Sequence, residues 1–587
     1  MAIENLITDH LDLWTTAVRP KSSAGRGNNS KLELTGIKKL RELILELAVR
    51  GKLVPQDPSD EPASVLLERI ASEKAWLVKE GKIKKSKALP EIGEEEKLFE
   101  LPDGWVWARL NDLGDWGAGA TPTRSNSDFY GGNIPWFKSG ELTSDYIFKS
   151  EESVTELALS KSSLRYNDVG DVLVAMYGAT IGKTAILGVK ATTNQAVCAC
   201  TTFDGFSNLY LLQLLKAYRP RLIGMGAGGA QPNISKDKLI ATIVALPPFN
   251  EQKRIVSKID ELMALCDQLE LRSESQLAAH QTLVEALLTT LTDSGDADEL
   301  AQNWARLSTH FDTVFTTEAS IDALKQTILQ LAVMGKLVPQ DPSDEPAIDL
   351  FNRLVSKRDE WLIKEAKDNS EAMTMLRKLK KLTVPTAPFE LPKAWTCAHL
   401  IQLSQILVDC HNKTAPYVEV GIPIIRTTNI RERQFIDREL KFVSKETYDY
   451  WSRRCPPEPR DIIFTREAPM GEALIIPVGE TWCLGQRTML IRPMHEFVSN
   501  QFLLLTLTEP HLLERASEHA VGLTVKHLRV GDVENLNIPL PPLAEQHRIV
   551  AKVDELMTLC DQLKARLQSS QQTQLALAES LVEGALA

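Results

Sequence analysis

The chain has 587 residues, 43% hydrophobic and 25% charged, with a formal net charge of −11. That length predicts several domains, about three or four, and the composition fits a soluble globular protein rather than a disordered or fibrous one. No apolar run reaches the length of a membrane span, and the acidic start MAIENLITDHLDLW does not resemble a secretory signal; the 8 scattered cysteines, with no C-x-x-C pair, predict buried thiols in a reducing cytoplasm rather than a metal site.

Taken from the N-terminus, residues 1–100 read as helical. Gly51 follows the run Leu47-Ala48-Val49 as a helix-terminating glycine would, and Ser59-Asp60-Glu61-Pro62 reads as the capped start of another helix. Residues 101–248 change character. Short Val- and Ile-rich runs broken by glycine predict strands, with a helix at LYLLQLLKAY (209–218) between them. GDWGAGATP (114–122) has the glycines of a cofactor loop without a clear preceding strand or a following helix.

VLVAMYGATIGKTAIL (172–187) ends near Gly-Lys-Thr and raises the question of nucleotide binding. A phosphate-cradling loop needs G-x-x-x-x-G-K-[ST] and a helix after it, so that backbone N–H groups ring the phosphates. Here only three residues separate Gly178 from Gly182, Tyr177 holds the place of the first glycine, and Thr184-Ala185-Ile186-Leu187 reads as a second strand. A strand–loop–strand hairpin is the expectation.

From 249 to 390 the periodicity becomes helical. Ile255, Ile259, Leu262, Cys266 and Leu269 step by 4, 3, 4 and 3 residues, a stripe that asks for a partner helix; the blander reading is a long helix packed on its own domain. The helix is predicted over about 250–291, on the order of 60 Å long, ending before Asp293-Ser294-Gly295-Asp296. Residues 391–542 form a second α/β block. Residues 543–587 form a second long helix in which Ile549, Val553, Leu556, Cys560, Leu563 and Leu567 repeat the stripe.

The chain is written twice. LELAVRGKLVPQDPSDEPA (45–63) returns as LQLAVMGKLVPQDPSDEPA (329–347), with 17 of 19 residues identical. LPPFNEQKRIVSKIDELMALCDQLE (246–270) returns as LPPLAEQHRIVAKVDELMTLCDQLK (540–564), with 18 of 25 identical. The centre holds both kinds of spacer piece and each terminus holds one, which predicts a pseudo-twofold, circular arrangement with the chain ends close. The blocks diverge more but share a skeleton. NIPWFKSGEL (133–142) answers GIPIIRTTNI (421–430), GDVLVAMYGATIGKTAIL (170–187) answers RDIIFTREAPMGEALII (460–476), and Asn194-Gln195 answers Gly485-Gln486. Both blocks are near neutral, with 13 Lys/Arg against 12 Asp/Glu over 104–246 and 16 against 18 over 395–540. The acidity therefore lies outside them, and local basic faces remain open to them.

On these residues the chain resembles the specificity (S) subunits of Type I restriction–modification systems. The motifs that carry the resemblance are GATPTRSNSDFYGGNIPW, the GATIGKTAIL hairpin, TTNQA and the LPPxxEQxRIVxKxDEL run, which occurs twice. The resemblance covers 45–587. It implies an α/β fold with two mixed α/β target-recognition domains separated by long antiparallel coiled-coil helices. Each domain is then expected to read one half of a split double-stranded DNA sequence. The helices are expected to set the gap and to hold two modification (methyltransferase) subunits, which two restriction (translocase/nuclease) subunits join. S-adenosylmethionine and ATP with magnesium are implied for those partners. This chain is expected to hold no cofactor, metal or catalytic site, since it lacks an N/D-P-P-Y/F motif and a convincing acidic cluster.

The DNA-contact candidates follow. In the first block they are Thr121, Arg124, Lys138, Ser139, Gly178, Thr180, Lys183, Asn194, Gln195 and Gln231. In the second they are Arg426, Thr427, Thr428, Asn429, Arg431, Arg433, Arg466, Gln486 and Lys526. Lys and Arg suit phosphate, hydroxyls suit either target, and Asn or Gln can read adenine bidentately. Trp136 reads first as core and second as a base-stacking platform. Asn194 and Gln195 fit a structural turn as well as base readout. Lys526 falls opposite Asn233 if the glycines are aligned, and opposite Pro232 if the spacer offset is kept. Two rivals stay open: a self-sufficient methyltransferase, and a coiled-coil scaffold whose blocks bind proteins. The stripes also predict poor solubility of the chain alone.

Overall fold

The computed structural model describes residues 3–20, 32–85, 89–226, 232–518 and 527–586. The chain forms two compact units, Met1–Gln276 with Ser570–Ala587, and Leu277–Ser569. Each long helix thus gives its first part to one unit and its last part to the other.

Both units contain the same helical piece ahead of their α/β block. The helix Thr35–Val49 buries Ile37, Leu40, Leu43, Ile44 and Leu47, spaced along one face as an amphipathic helix requires. It stops at Gly51, whose φ of +69° suits glycine, and a Cβ there would lie 2.4 Å from the Pro102 ring. In the second unit Glu318–Val333 stops at Gly335, with a φ of +73° and Pro392 at 2.6 Å. The next helices, Ala63–Lys79 and Ala347–Glu365, start one residue later than a proline inside the first turn would place them: Pro62 and Pro346 are the N-cap residues. Ser59 and Ser343 do not cap these helices; each hydroxyl donates to Asp57 or Asp341 at 2.7 Å and closes the preceding turn.

The α/β blocks follow one plan. In the first, a five-stranded sheet runs in the order Gly114–Ala118, Val197–Thr202, Val172–Ala175, Thr184–Leu187, Tyr146–Ile147. A three-stranded sheet pairs Tyr130–Phe137 with Thr192–Thr193 and Glu152–Val154, and Val106–Arg109 pairs with Ile243–Leu246 to close the block. The second block repeats this with Ser404–Asp409, Thr488–Pro493, Ile462–Thr465 and Ala473–Ile475, then Lys441–Val443, Ile422–Ile425 and Cys483–Leu484, closed by Thr396–His399 against Asn537–Leu540. GDWGAG is therefore part of an edge strand and not a loop: a Cβ on Gly114 would sit 2.4 Å from Cys200 Sγ, so the glycine serves sheet packing.

The first long helix is Phe249–Asp293, 45 residues, and the second is Leu543–Leu586. Ile255, Ile259, Leu262 and Leu269, and Ile549, Val553, Leu556 and Leu563, are all buried. Their counter-helices lie in this same chain. Arg41 bonds Asp267 at 2.5 Å and Glu270 at 2.7 Å, and Lys325 bonds Asp561 at 2.5 Å. In the second unit Ile549, Val553 and Leu556 share a core with Ile321, Leu324, Ile328, Val284 and Leu288. Full burial of each such side chain contributes about 1.5–3 kcal/mol. The stripes thus give no reason to expect insolubility. The N-terminal segment also touches the C-terminal helix, through Lys39 to Glu579 at 3.0 Å and Lys52 Nζ to the Leu586 carbonyl at 3.0 Å. The eight cysteines are free, and burial pushes the Cys198 thiol up to about 12.

Candidate nucleic-acid interface

The hairpin is a hairpin: strands Val172–Ala175 and Thr184–Leu187 pair antiparallel, with one 3-10 turn at Gly178–Thr180 between them. Gly178 (φ +61°) has open space where a Cβ would go, while Gly182 (φ +75°) lies against the Arg219 side chain. The Thr180 hydroxyl donates to the Tyr177 carbonyl at 2.7 Å, and the Gly178 N–H donates to the Pro232 carbonyl at 2.8 Å. Lys183 lies off the tip. It lines a cleft of about 890 Å³ with Lys39, Lys216, Arg219 and Leu586.

A second group gathers beside the three-stranded sheet. Trp136 is 1% exposed and its indole N–H donates to the Ala120 carbonyl at 3.0 Å, so it is core. Arg124 covers the Tyr130 and Trp136 rings, 4.6 and 5.0 Å from their centroids. One carboxylate holds both candidate phosphate partners: Glu152 meets Arg124 at 2.6 Å and Lys138 at 2.5 Å. The hydrogen bond from Arg124, then that from Lys138, holds the Glu152 carboxyl below its ordinary range. Ser139 begins a 3-10 turn just after Lys138 and is half-buried. Asn194 takes the turn role, its Oδ1 accepting the Ala196 N–H at 3.2 Å. Gln195 next to it is exposed and receives the Thr121 hydroxyl.

The dense basic run of the second block largely folds back on itself. Asn429 is fully buried; its Oδ1 accepts the Arg426 N–H at 3.2 Å and its amide donates to the Ile436 and Arg438 carbonyls at 3.1 and 3.0 Å. Those bonds spend its polar groups on the loop, so its edge is not free to read a base. Thr427 is buried too, whereas Thr428 is exposed. Arg426 donates to the Glu439 carbonyl at 2.6 Å, and Arg431 to the Thr427 carbonyl at 2.7 Å. Arg433 has a φ of +65° and faces the charges of Asp554, Glu432 and Glu472; burial lowers its pKa.

Arg466 is 16% exposed and pairs with Asp409 at 2.8 Å, with a further bond to the Leu528 carbonyl at 3.1 Å. Strand register explains the pair. Phe464 and Asp409 both face Met489 across the sheet, as Val174 and Ala118 both face Cys198 in the first block. Asp409 therefore stands where the first block has Ala118, and Arg466 where it has the buried Met176. Isolated bridges set Tyr177 opposite Asn233 and Glu467 opposite His527. His527 thus corresponds to Asn233, which selects the spacer offset over the glycine alignment. Gln231 and Lys526 themselves lie outside the described residues.

Gln486 occupies the place of Gln195. It is exposed, receives the Thr414 hydroxyl at 3.4 Å and donates to the Asn412 carbonyl at 3.2 Å. Two residues escaped the sequence reading. Thr414 repeats the role of Thr121, and exposed Arg487 (φ +66°) follows Gln486 and reaches Glu467 at 3.2 Å. Setting TTNQA against CLGQR would have found Arg487; Thr414 had no such signal, because the loop before it has no counterpart in length or residues.

Among the described residues no helix is long and apolar enough to cross a membrane. A family model described as "Type I restriction modification DNA specificity domain" matches residues 102–279 and 409–570. The EcoAI specificity subunit of Escherichia coli, a Type I restriction enzyme component, is 39% identical over the full length of both chains. The EcoEI specificity subunit of the same species is 37% identical, again over the full length of both. A crystal structure of the HsdS subunit from Thermoanaerobacter tengcongensis aligns at 18% identity and a TM-score of 0.38, covering 84% of this chain and 98% of that one.

Proposed function

The chain belongs to the Type I restriction–modification DNA specificity family, and from that premise we propose that it reads a bipartite duplex target, one half through each α/β block. The observation that carries this is the matched placement of Gln195 and Gln486. Both are exposed, both follow the short strand paired with the NIPW-type strand, and both are touched by a threonine hydroxyl. A glutamine at such a point can read a base edge, while cations fix register on phosphate. Arg124 and Lys138 serve the phosphate role in the first block. In the second, Arg426, Arg431 and Arg433 shape the loop, leaving Thr428, Gln486 and Arg487 outward.

The twin helical bundles would each hold one modification subunit, and restriction subunits would join that core. S-adenosylmethionine and ATP with magnesium would be bound by those partners. The extruded base and its methylation would belong to the modification subunits, so this chain specifies without catalysing. Calorimetry of the chain with S-adenosylmethionine is expected to give no binding heat.

The deciding experiment maps methylated bases in host DNA with and without this gene, by modification-sensitive sequencing. A split motif lost on deletion is the expected result and yields both half-sites and the gap. An unchanged map, with the neighbouring modification genes expressed, would refute the proposal.

A further inference from the structure

At the end of each block the chain runs Leu-Pro-Pro, two variable residues, then Glu-Gln-x-Arg into a long helix. The glutamine of this motif is fully buried at both sites. Gln252 Oε1 accepts the Ser207 N–H at 2.9 Å, while its Nε2 donates to the Pro247 carbonyl at 3.1 Å and the Gly205 carbonyl at 3.4 Å. Gln546 repeats all three, with Ser499 at 2.8 Å, Pro541 at 3.0 Å and Phe497 at 3.4 Å. Ser207 and Ser499 are the N-caps of block helices Asn208–Ala217 and Asn500–Leu507. One amide therefore joins the first turn of a long helix, the diproline link and the N-cap loop of a block helix.

The neighbouring side chains tie the same turn to the spacer loop. Glu251 accepts the Trp105 indole N–H at 3.0 Å and the Gln56 amide at 2.9 Å, and Glu545 accepts Gln340 at 2.6 Å and lies beside Trp395. Arg254 meets Asp60 at 2.6 Å, and Arg548 meets Asp344 at 2.6 Å. The polar outer faces of the blocks have diverged between the two halves of the chain, yet the three glutamine bonds and the Arg–Asp and Gln–Glu ties recur at both joints.

We propose that Gln252 and Gln546 are positioning residues for gap length: they fix the angle between each block and its long helix without touching DNA. The proposal rests on the bipartite reading above. The lever is long. A 45-residue helix spans about 67 Å, so a tilt of about 5° at its base moves its far end by about 6 Å, against 3.4 Å per base-pair step. Loss of the amide ties would blur gap selection while leaving base readout alone.

The test uses Gln252→Met and Gln546→Met in the complex with modification subunits, since methionine keeps the side-chain volume and removes only the polar ties. Methylation is read on a duplex library carrying the mapped half-sites at the native gap and at one base pair more or less. The expected result is unchanged half-sites, with discrimination against the wrong gaps reduced about tenfold. Should one variant not assemble, the other supplies the same readout from its own block. Gap discrimination within about twofold of the parent in an assembled variant would overturn the proposal. Absence of any split motif for the parent would overturn the bipartite reading instead, so the two failures are distinguishable.

Discussion

Glu152→Gln tests the phosphate role of Arg124 and Lys138 directly. The carboxylate sits 2.6 Å from one cation and 2.5 Å from the other, so in the free chain it competes with any phosphate for both. Arg124 stays over the Tyr130 and Trp136 rings when the carboxylate charge is removed, because that contact does not depend on Glu152. The substitution thus frees about one net positive charge already aimed outward. Each added phosphate contact steepens the dependence of log K on log salt by about 0.9, which amounts to about eightfold tighter binding at 0.1 M than at 1 M salt. Folding stability should barely change, because exposed ion pairs are worth about 0–1 kcal/mol. The assay is fluorescence anisotropy of a labelled duplex with the complex of this chain and its modification subunits, titrated with salt. Because the Arg124 bond, then the Lys138 bond, depresses the Glu152 pKa, the carboxylate stays charged and paired at pH values within the ordinary glutamate range, where a free glutamate would protonate. Its contribution to stability fades only as pH falls through that lowered pKa, so the parent protein should approach the variant only at strongly acid pH. An unchanged salt slope with weaker binding would refute the reasoning and place this cluster away from DNA.

Asp409→Ala should destabilise by about 1–3 kcal/mol, since it strands the Arg466 charge at a site only 16% exposed, whereas Asp409→Ala with Arg466→Met recreates the Ala118 and Met176 pair of the first block and should recover most of the loss in a thermal melt. A double variant no more stable than the single would refute the register argument. Gln195→Ala should relax one half-site and Gln486→Ala the other, each by about 1–3 kcal/mol of discrimination, read from methylated motifs; relaxation of both halves by one variant would contradict one block per half-site. Four residues inserted after Arg272 and four after Arg566 lengthen each helix by about 6 Å and add about 40° beyond a full helical turn, so the mapped gap should lengthen by about one to two base pairs. An unchanged gap would sink the idea that the helices act as a ruler.

The architecture was legible because duplication and periodicity are long-range signals. The heptad stripe predicted a helix over about 250–291, and the helix spans Phe249–Asp293. The missing residue between Gly178 and Gly182 excluded a phosphate loop, and a second strand follows Thr184 as expected. The site was less legible, because composition cannot say which way a polar group points. Asn429 and Arg426 sit in a run that reads as a basic contact surface, yet their hydrogen bonds close the loop on itself. Lys183 reads as a phosphate partner on the hairpin loop, but it sits just before the second strand and lines the helical cleft. The glycines of GDWGAG imitate a loop because close packing between strands and tight turns both forbid a Cβ.

The exchange of Ala118 and Met176 for Asp409 and Arg466 shows how two such blocks can diverge without losing their fold. A lone arginine in the place of the buried Met176 would leave a charge without a partner, and an aspartate in the place of the exposed Ala118 supplies that partner. The arginine is tolerable only with the aspartate beside it, and the sheet register brings the two within 2.8 Å. The joint at Gln252 and Gln546 has no such freedom, since the partners of each amide are backbone groups of two separate segments that no single compensating substitution could replace. Divergence is therefore channelled toward side-chain pairs on the sheets and toward the exposed loops around Gln195 and Gln486. The geometry that fixes the long helices on their blocks stays constant.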